Sequence, residues 1–539
     1  MYAMRLEESY FPAIDEGEKP DYPIGEALRR AAADAGDLIA IKEVTPAGDI
    51  GRTWTYAQLY ADSRRLAHAL ASRHRPGERV AIWAPTIPEW SLFQHAAALA
   101  GLVLVTVNPS FQARELKFVL EQSGSSALYV TQSYRGNPLA EIAAAVCGEV
   151  PAVRHLIDLL DRAALYDGAD SGVPLPAVAP FDPAQIQYTS GTTGFPKGAV
   201  LHHCGLYGNG ILNARRIGAR RGEVWLNFMP MFHTSGSAYN SFGCLSSRGT
   251  MLMAPIFDPH AMNAVIEKEK VNIMLAVPTM LVGLLEAYAV KPRDVSSVRA
   301  VISGGAMVAP EMVKRTQAVY PASFHIIYGQ TETSPLLTIV WADDTIEDIC
   351  ETVGQPIPHL ELSIREPGSN RVVPVGEVGE ICARGYMNML RYHENPEGTA
   401  KAIDAEGWLH TGDLGTLDAR GYVRITGRLK EMIIRGGENL FPVEIENALL
   451  EHPAVIETAV VGLPDDKYGE IVACFMRLQP GQRPSREELV AFCRERLSPQ
   501  KTPSVWIAVQ EWPLTASGKI RKFVLREMHA QGKFPDRID

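Results

Sequence analysis

The sequence predicts an α/β protein with a large N-terminal domain of doubly wound sheets plus a small β-barrel, followed by a smaller α+β C-terminal domain. Three observations carry this. Short β-type runs alternate with segments of helical periodicity over residues 53–130 and again over 223–328, the pattern of parallel strands covered by helices. From about 354 to 384 the texture becomes short strands broken by Gly and Pro. Near Gly427-Arg428-Leu429-Lys430 it changes again, and 539 residues are more than one core normally accommodates.

Taken in order, residues 23–75 mix helical and turn signals. Residues 53–56 read as a strand, and 57–73 as a helix with Leu59, Leu66, Ala67 and Leu70 at helical spacing. Strands are expected at 79–83, 102–107 and 127–130, with helices at 89–100 and 113–122 between them. The Pro- and Ala-rich stretch 172–183 reads as a loop. Strands follow at 185–188 and 199–201. In the second α/β run, 223–228, 273–277, 300–302 and 324–328 read as strands, and 263–270 and 310–320 as helices, with a further helix before 300. Beyond Lys430, helices are expected at 443–450 and 486–496, and strands at 456–461 and 472–477.

Hydrophobic residues make up 46% and charged residues 21%, the balance of an ordinary globular chain. The net charge of −10 argues against nucleic acid as a partner. The opening Met1-Tyr2-Ala3-Met4-Arg5 lacks a basic start with an apolar core, so no signal peptide is expected. The apolar region 96–107 is too short for a bilayer, and no transmembrane segment is expected. Seven cysteines at irregular spacing contain no C-x-x-C pair, so neither zinc nor a disulfide framework is expected, and a cytoplasmic location is the simplest reading. The ending Asp536-Arg537-Ile538-Asp539 carries no peroxisomal address.

The chemistry begins at Tyr188-Thr189-Ser190-Gly191-Thr192-Thr193-Gly194-Phe195-Pro196-Lys197-Gly198. Glycines let backbone N–H groups approach a polyanion, hydroxyls add donors, and Lys197 adds charge. Gly198 follows the lysine where a Walker loop needs Ser or Thr, and strands rather than a helix flank the loop. Most Gly/Ser/Thr-rich loops are solvated turns; this one is more specific in its order. Tyr328-Gly329-Gln330-Thr331-Glu332-Thr333 follows an expected strand, where ligands of open α/β sheets gather. An acid there suits Mg²⁺, although a lone Thr-Glu pair is more often a helix cap. Ser303-Gly304-Gly305-Ala306 sits at another strand end. The segment Asn227-Phe228-Met229-Pro230-Met231-Phe232-His233-Thr234-Ser235-Gly236 holds one histidine, and His202 and His203 read as structural. Trp408-Leu409-His410-Thr411-Gly412-Asp413 is placed at the end of a strand, its Thr-Gly-Asp readable as a turn. Arg435-Gly436-Gly437-Glu438 and Pro513-Leu514-Thr515-Ala516-Ser517-Gly518-Lys519 complete the set.

In this order the segments resemble the adenylate-forming superfamily, in its acyl-CoA synthetase or fatty-acid–CoA ligase branch, over nearly the whole chain. The resemblance implies ATP, Mg²⁺ and coenzyme A as cofactors. It makes Lys519, His233, Thr331, Glu332 and Lys197 catalytic. Thr189, Ser190, Gly191, Thr192, Thr193, Gly194 and Lys197 would line the phosphates. Gly304, Gly305, Ala306, Tyr328 and Gly329 would wall the adenine, with Thr331 at the α-phosphate and Asp413 and Arg428 at the ribose. Glu332 and Thr192 would serve the metal, and Gly436 and Gly437 the pantetheine passage. His233 tilts the reading toward a plain carboxylic acid, since amino-acid adenylation domains typically lack it. The resemblance divides the chain into an N-terminal domain at 1–427, a hinge at 428–430 and a mobile C-terminal domain at 431–539. A medium or long fatty acid is favoured, an aromatic or polycyclic acid being the alternative. Trp225, Met231, Tyr239 and Leu336 are pocket candidates. A carrier protein in place of CoA, and a homodimeric assembly, are left open.

Overall fold

The computed structural model describes residues 1–17, 19–189, 196–306, 308–515 and 519–538. Its first sheet has seven strands in the order Arg391–Tyr392, Lys197–His202, Pro183–Thr189, Val103–Val107, Arg79–Trp83, Ala127–Val130 and His155–Asp158. The last five are parallel, and the first two run antiparallel to their neighbours. Alternation decides which core each side chain joins. Val80 and Ile82 enter the main core, whereas Ala81 and Trp83 face the core under helices Ala113–Ser123 and Leu139–Glu149.

The second sheet has nine strands, and six of them, Ser323–Tyr328, Ala300–Gly304, Ile273–Leu275, Val224–Asn227, Thr250–Met253 and Ile39–Val44, form its parallel centre. One core is shared by the two large sheets and by helices Tyr56–Arg73, Pro88–Leu99 and His203–Arg216. Helix Tyr56–Arg73 starts where expected because Thr55 and Gln58 form a reciprocal capping box. Helix Pro88–Leu99 is buried nearly all round, with the polar Glu89, Ser91, Gln94 and His95 buried alongside its apolar residues.

The expected barrel is a five-stranded antiparallel sheet, Tyr10–Phe11, Leu360–Arg365, Gly379–Gly385, Leu409–Leu417 and Val423–Arg428, curled on its own core of Phe11, Leu362, Ile381 and Leu417. The N–H of Leu6 donates to the carbonyl of Ala419 at 2.8 Å, bringing the first edge towards the last hairpin. The C-terminal sheet is built on the long hairpin Val455–Asp465 and Gly469–Leu478, which sends Val460, Val472 and Cys474 to one core and Ala459, Ala473 and Phe475 to another. Among the described residues, no helix is long and apolar enough to cross a membrane.

Candidate active site

The parallel strands place Thr189, Asn227, Gly304 and Tyr328 at their carboxyl ends, the rim where open α/β sheets bind ligands. Pro183–Thr189 and Lys197–His202 pair as an antiparallel hairpin with Thr189 opposite Lys197, so the expected phosphate loop does join two strands. Ser190, Gly191, Thr192, Thr193 and Gly194 lie outside the described residues. Lys197 holds its Nζ 4.9 Å from the centre of the Tyr392 ring. The Tyr392 hydroxyl in turn donates to Glu332 Oε1 at 2.6 Å. Lys197, Tyr392 and Glu332 therefore form one chain of contacts beside the phosphate loop.

Glu332 sits in a single tight turn, Thr331–Thr333, after strand Ser323–Tyr328. Helix His203–Arg216 clamps this turn. The buried Asn209 amide donates to the carbonyls of Thr333 and Leu336 at 3.1 and 3.3 Å and accepts from Leu336 N–H at 3.0 Å. Gly329 is required here because any Cβ would collide with the carbonyl of Pro335. The hydroxyl of Tyr392 occupies one carboxylate oxygen, so among the described residues Oε2 can ligate a hard cation, and the oxygen-donor chemistry fits Mg²⁺.

His233 follows strand Val224–Asn227 and opens a widened helical turn, Ser235–Asn240. Its Nδ1 accepts the Ser235 N–H at 3.1 Å and lies 2.9 Å from the Ser235 hydroxyl, which leaves the proton of the neutral ring on Nε2. Burial, reinforced by the charge of Lys519, pushes its pKa down to about 3, so the ring is neutral near pH 7. Gln187, from the strand that leads into the phosphate loop, donates to the carbonyl of Phe232. Gly236 packs on the backbone of Pro230, where a side chain would clash. Trp225, Met231, Tyr239 and Leu336 are all fully buried.

Asp413 accepts from the Tyr328 hydroxyl at 3.0 Å and pairs with Arg428 Nε at 2.8 Å. Burial raises its pKa and the Arg428 guanidinium opposes the rise. The motif around Asp413 lies within strand Leu409–Leu417 rather than at a strand end. Gly304 ends its strand with backbone against Ile327. Gly305 and Ala306 are exposed at the rim, and Gly305 faces Lys519: a methyl group built on it would lie 3.2 Å from Cε.

Lys519 is thus delivered by the C-terminal sheet's last loop into a site built by the N-terminal sheets. Its loop is closed by Thr515 N–H donating to the Lys519 carbonyl at 2.7 Å, and by Lys519 N–H donating to Thr515 Oγ1 at 3.0 Å. Burial and the nearby Arg428 push its pKa down to about 8, against the pull of Asp413 and Glu332. Below that value the ammonium is charged. The kcat/KM for ATP in pyrophosphate release should therefore fall as pH rises through about 8, and Lys519→Arg should move the descent upward. A profile unchanged by that substitution would assign the descent to another group.

Gly436 and Gly437 stand apart from this cluster. They form the exposed two-residue turn between Ile433–Arg435 and Glu438–Leu440, with φ of 61° and 87°, a geometry suited to glycine. Sequence reasoning missed Tyr392, Asn209 and Gln187. Tyr392 carries no local signal except its pairing partner, Ala199, beside the phosphate loop.

A lysine, a neutral imidazole, a carboxylate and a buried Asp413 paired with the exposed Arg428 and the half-buried Tyr328 gather at an α/β rim, a set suited to activating an acid with a nucleotide. The comparisons agree. A model of the AMP-binding enzyme family matches residues 28–393, and one of the AMP-binding enzyme C-terminal domain matches 444–519. The chain is 35% identical over 522 residues to the 3-[(3aS,4S,7aS)-7a-methyl-1,5-dioxo-octahydro-1H-inden-4-yl]propanoyl:CoA ligase of Rhodococcus jostii strain RHA1, covering 93% of this chain and 98% of that protein. It is 34% identical over 507 residues to the mitochondrial medium-chain acyl-CoA ligase ACSF2 of Macaca fascicularis, covering 88% and 82%. The crystal structure of ATP-bound MatB from Rhodopseudomonas palustris superposes with a TM-score of 0.84 at 28% identity, over 94% of this chain and 99% of that one. The chain belongs to the AMP-binding enzyme family, in the acyl-CoA synthetase branch of the adenylate-forming superfamily. It is an acid–CoA ligase that uses ATP and coenzyme A.

Proposed function

We propose that this ligase activates a medium- or long-chain fatty acid as acyl-AMP with release of pyrophosphate, and then passes the acyl group to CoA. The observation that carries the reading is the convergence of Lys519 with His233, Glu332, Asp413 and Arg428. The ammonium of Lys519 bears on the acid's carboxylate and the α-phosphate, and stabilises the charge that develops as the carboxylate attacks phosphorus. His233 stays neutral and donates its Nε2–H to a carboxylate oxygen. Thr331 contacts the α-phosphate, and Lys197 with residues 189–194 holds the remaining phosphates. Asp413 accepts from the ribose hydroxyls, assisted by Arg428, while Tyr328, Gly304, Gly305, Ala306 and Gly329 border the adenine. Glu332 and Thr192 would hold Mg²⁺, which supplies charge neutralisation at the phosphates.

The acid alone is a poor acyl donor because its leaving group would be hydroxide; AMP is a good leaving group. A thiol with an ordinary pKa of about 8.5 is partly ionised near neutral pH, so transfer demands no dedicated base. The separate cores of the C-terminal sheet support rotation of 431–539 about Lys430. Gly436 and Gly437 would then replace Lys519 at the site and admit pantetheine.

A second reading, a polycyclic acid bearing ketones, is favoured by the named substrate of the Rhodococcus relative. The Asn213 amide, Trp225 Nε1 and Tyr239 hydroxyl, buried without a partner among the described residues, would suit substrate oxygens. Pyrophosphate release from Mg·ATP across a panel of acids, with and without CoA, tests both. Fatty acids should give release and thioester together. Turnover confined to keto-polycyclic acids would replace the first reading with the second, and pyrophosphate without thioester would move the acceptor to a carrier protein.

A further inference from the structure

The pairing between strands Gly379–Gly385 and Leu409–Leu417 breaks beside Asp413. Glu380 faces Leu414 and Cys382 faces His410, so Ile381 alone spans Thr411, Gly412 and Asp413. Such a bulge frees ladder groups and re-aims the side chains it carries. Here the freed groups are taken up individually. Thr411 Oγ1 donates to the carbonyl of Ile381 at 2.7 Å and accepts the Asp413 N–H at 3.1 Å. The Gly412 N–H donates to Glu380 Oε1 at 2.9 Å, and the Gly412 carbonyl accepts from Leu429 N–H at 3.0 Å.

Glu380 is itself held. Its Oε2 lies 2.8 Å from His410 Nδ1, and His410 Nε2 lies 3.5 Å from Asp404 Oδ2. Asp404 is anchored by the N–H groups of Glu406 and Trp408, both at 2.9 Å, and by the Asn370 amide at 3.0 Å. The Cys382 thiol stands 3.4 Å from His410 Nδ1. Glu380, Cys382 and His410 could be taken for metal ligands, since their donor atoms lie within 4.8 Å of one another. Two ligands about 2.0 Å from a tetrahedral ion stay roughly 3.3 Å apart, however. The 2.8 Å contact is a hydrogen bond, and the other Glu380 oxygen is already committed to Gly412.

We propose that Glu380, held by His410, is a positioning residue for nucleotide recognition: it fixes the Gly412 peptide of the bulge and thereby aims Asp413 at the ribose. The inference rests on the reading of Asp413 as the ribose ligand. Without the Glu380 acceptor, the N–H of the half-buried Gly412 loses its protein partner and the peptide is free to rotate. Asp413 then loses its direction while its charge and its Arg428 partner remain.

The test is equilibrium binding of ATP and of 2′,3′-dideoxy-ATP, by calorimetry on the full chain, for the wild type and for Glu380→Ala, His410→Ala and Asp413→Asn. The quantity read is the ratio of the two affinities, which partial unfolding of a variant leaves unchanged. The wild type should favour ATP by about 10- to 100-fold, the worth of hydrogen bonds to a carboxylate. Asp413→Asn, which keeps a neutral acceptor oxygen but loses the charge, should cut the preference most. Glu380→Ala and His410→Ala should each cut it several-fold, with the affinity for dideoxy-ATP held. A full preference in both alanine variants, alongside its reduction in Asp413→Asn, would overturn the positioning role. A full preference in Asp413→Asn would instead overturn the ribose reading on which the proposal stands.

Discussion

Lys519→Ala should slow acyl-adenylate formation by about 10²–10³-fold, the usual cost of removing one group that stabilises charge in a transition state. Lys519 is the group that the C-terminal sheet carries across to the N-terminal rim, and Arg428, Asp413 and Glu332 are close enough to shift its pKa. Once acyl-AMP exists, that charge has done its work. Transfer from supplied acyl-AMP to CoA should therefore be nearly unaffected, which rapid-quench assay of the two half-reactions separates. Equal losses in both would mean that the lysine holds the domains together and does not act on phosphorus. The lowered pKa adds a check of sign. The wild-type advantage over Lys519→Ala should be largest below about pH 8 and shrink above it, as the ammonium deprotonates.

Replacing Glu332 by Gln should cost about as much, and through a different observable. The substitution keeps the shape and removes the charge that a hard cation needs. ATP binding measured by calorimetry should lose most of its dependence on Mg²⁺, whereas binding of AMP, which lacks the β- and γ-phosphates, should stay near the wild-type value. Tyr392→Phe removes only the 2.6 Å hydrogen bond to Oε1, leaving a correctly charged but unoriented carboxylate. Its loss of Mg²⁺ affinity should be smaller, about 10- to 100-fold, the range seen when the partner of a metal ligand is removed. Undiminished Mg²⁺ dependence in Glu332→Gln would place the metal on other groups.

Most strands and helices of the two α/β runs were legible in the sequence, because alternating burial writes itself into alternating residues; strands Ile39–Val44 and Thr250–Met253 and helix His203–Arg216 were not. The candidate reacting groups were legible there too, and the structure puts Thr189 and Lys197 at the ends of a hairpin, Glu332 after one strand and His233 after another. Tertiary structure decided the rest. Helix His203–Arg216 contains Gly205, Gly208 and Gly210, poor helix formers. It holds because Gly208 and Gly210 let it pack directly against Tyr386 and Phe242, where side chains would collide. Asp413 reads as a turn residue in the sequence, yet it sits on a bulge whose Gly412 N–H is satisfied by Glu380, some thirty residues away. Tyr392 gained its place from strand pairing with Ala199, which no local window contains. Local sequence encodes periodicity and reactive chemistry. The aim of each side chain depends on backbone hydrogen bonds closed by residues far along the chain.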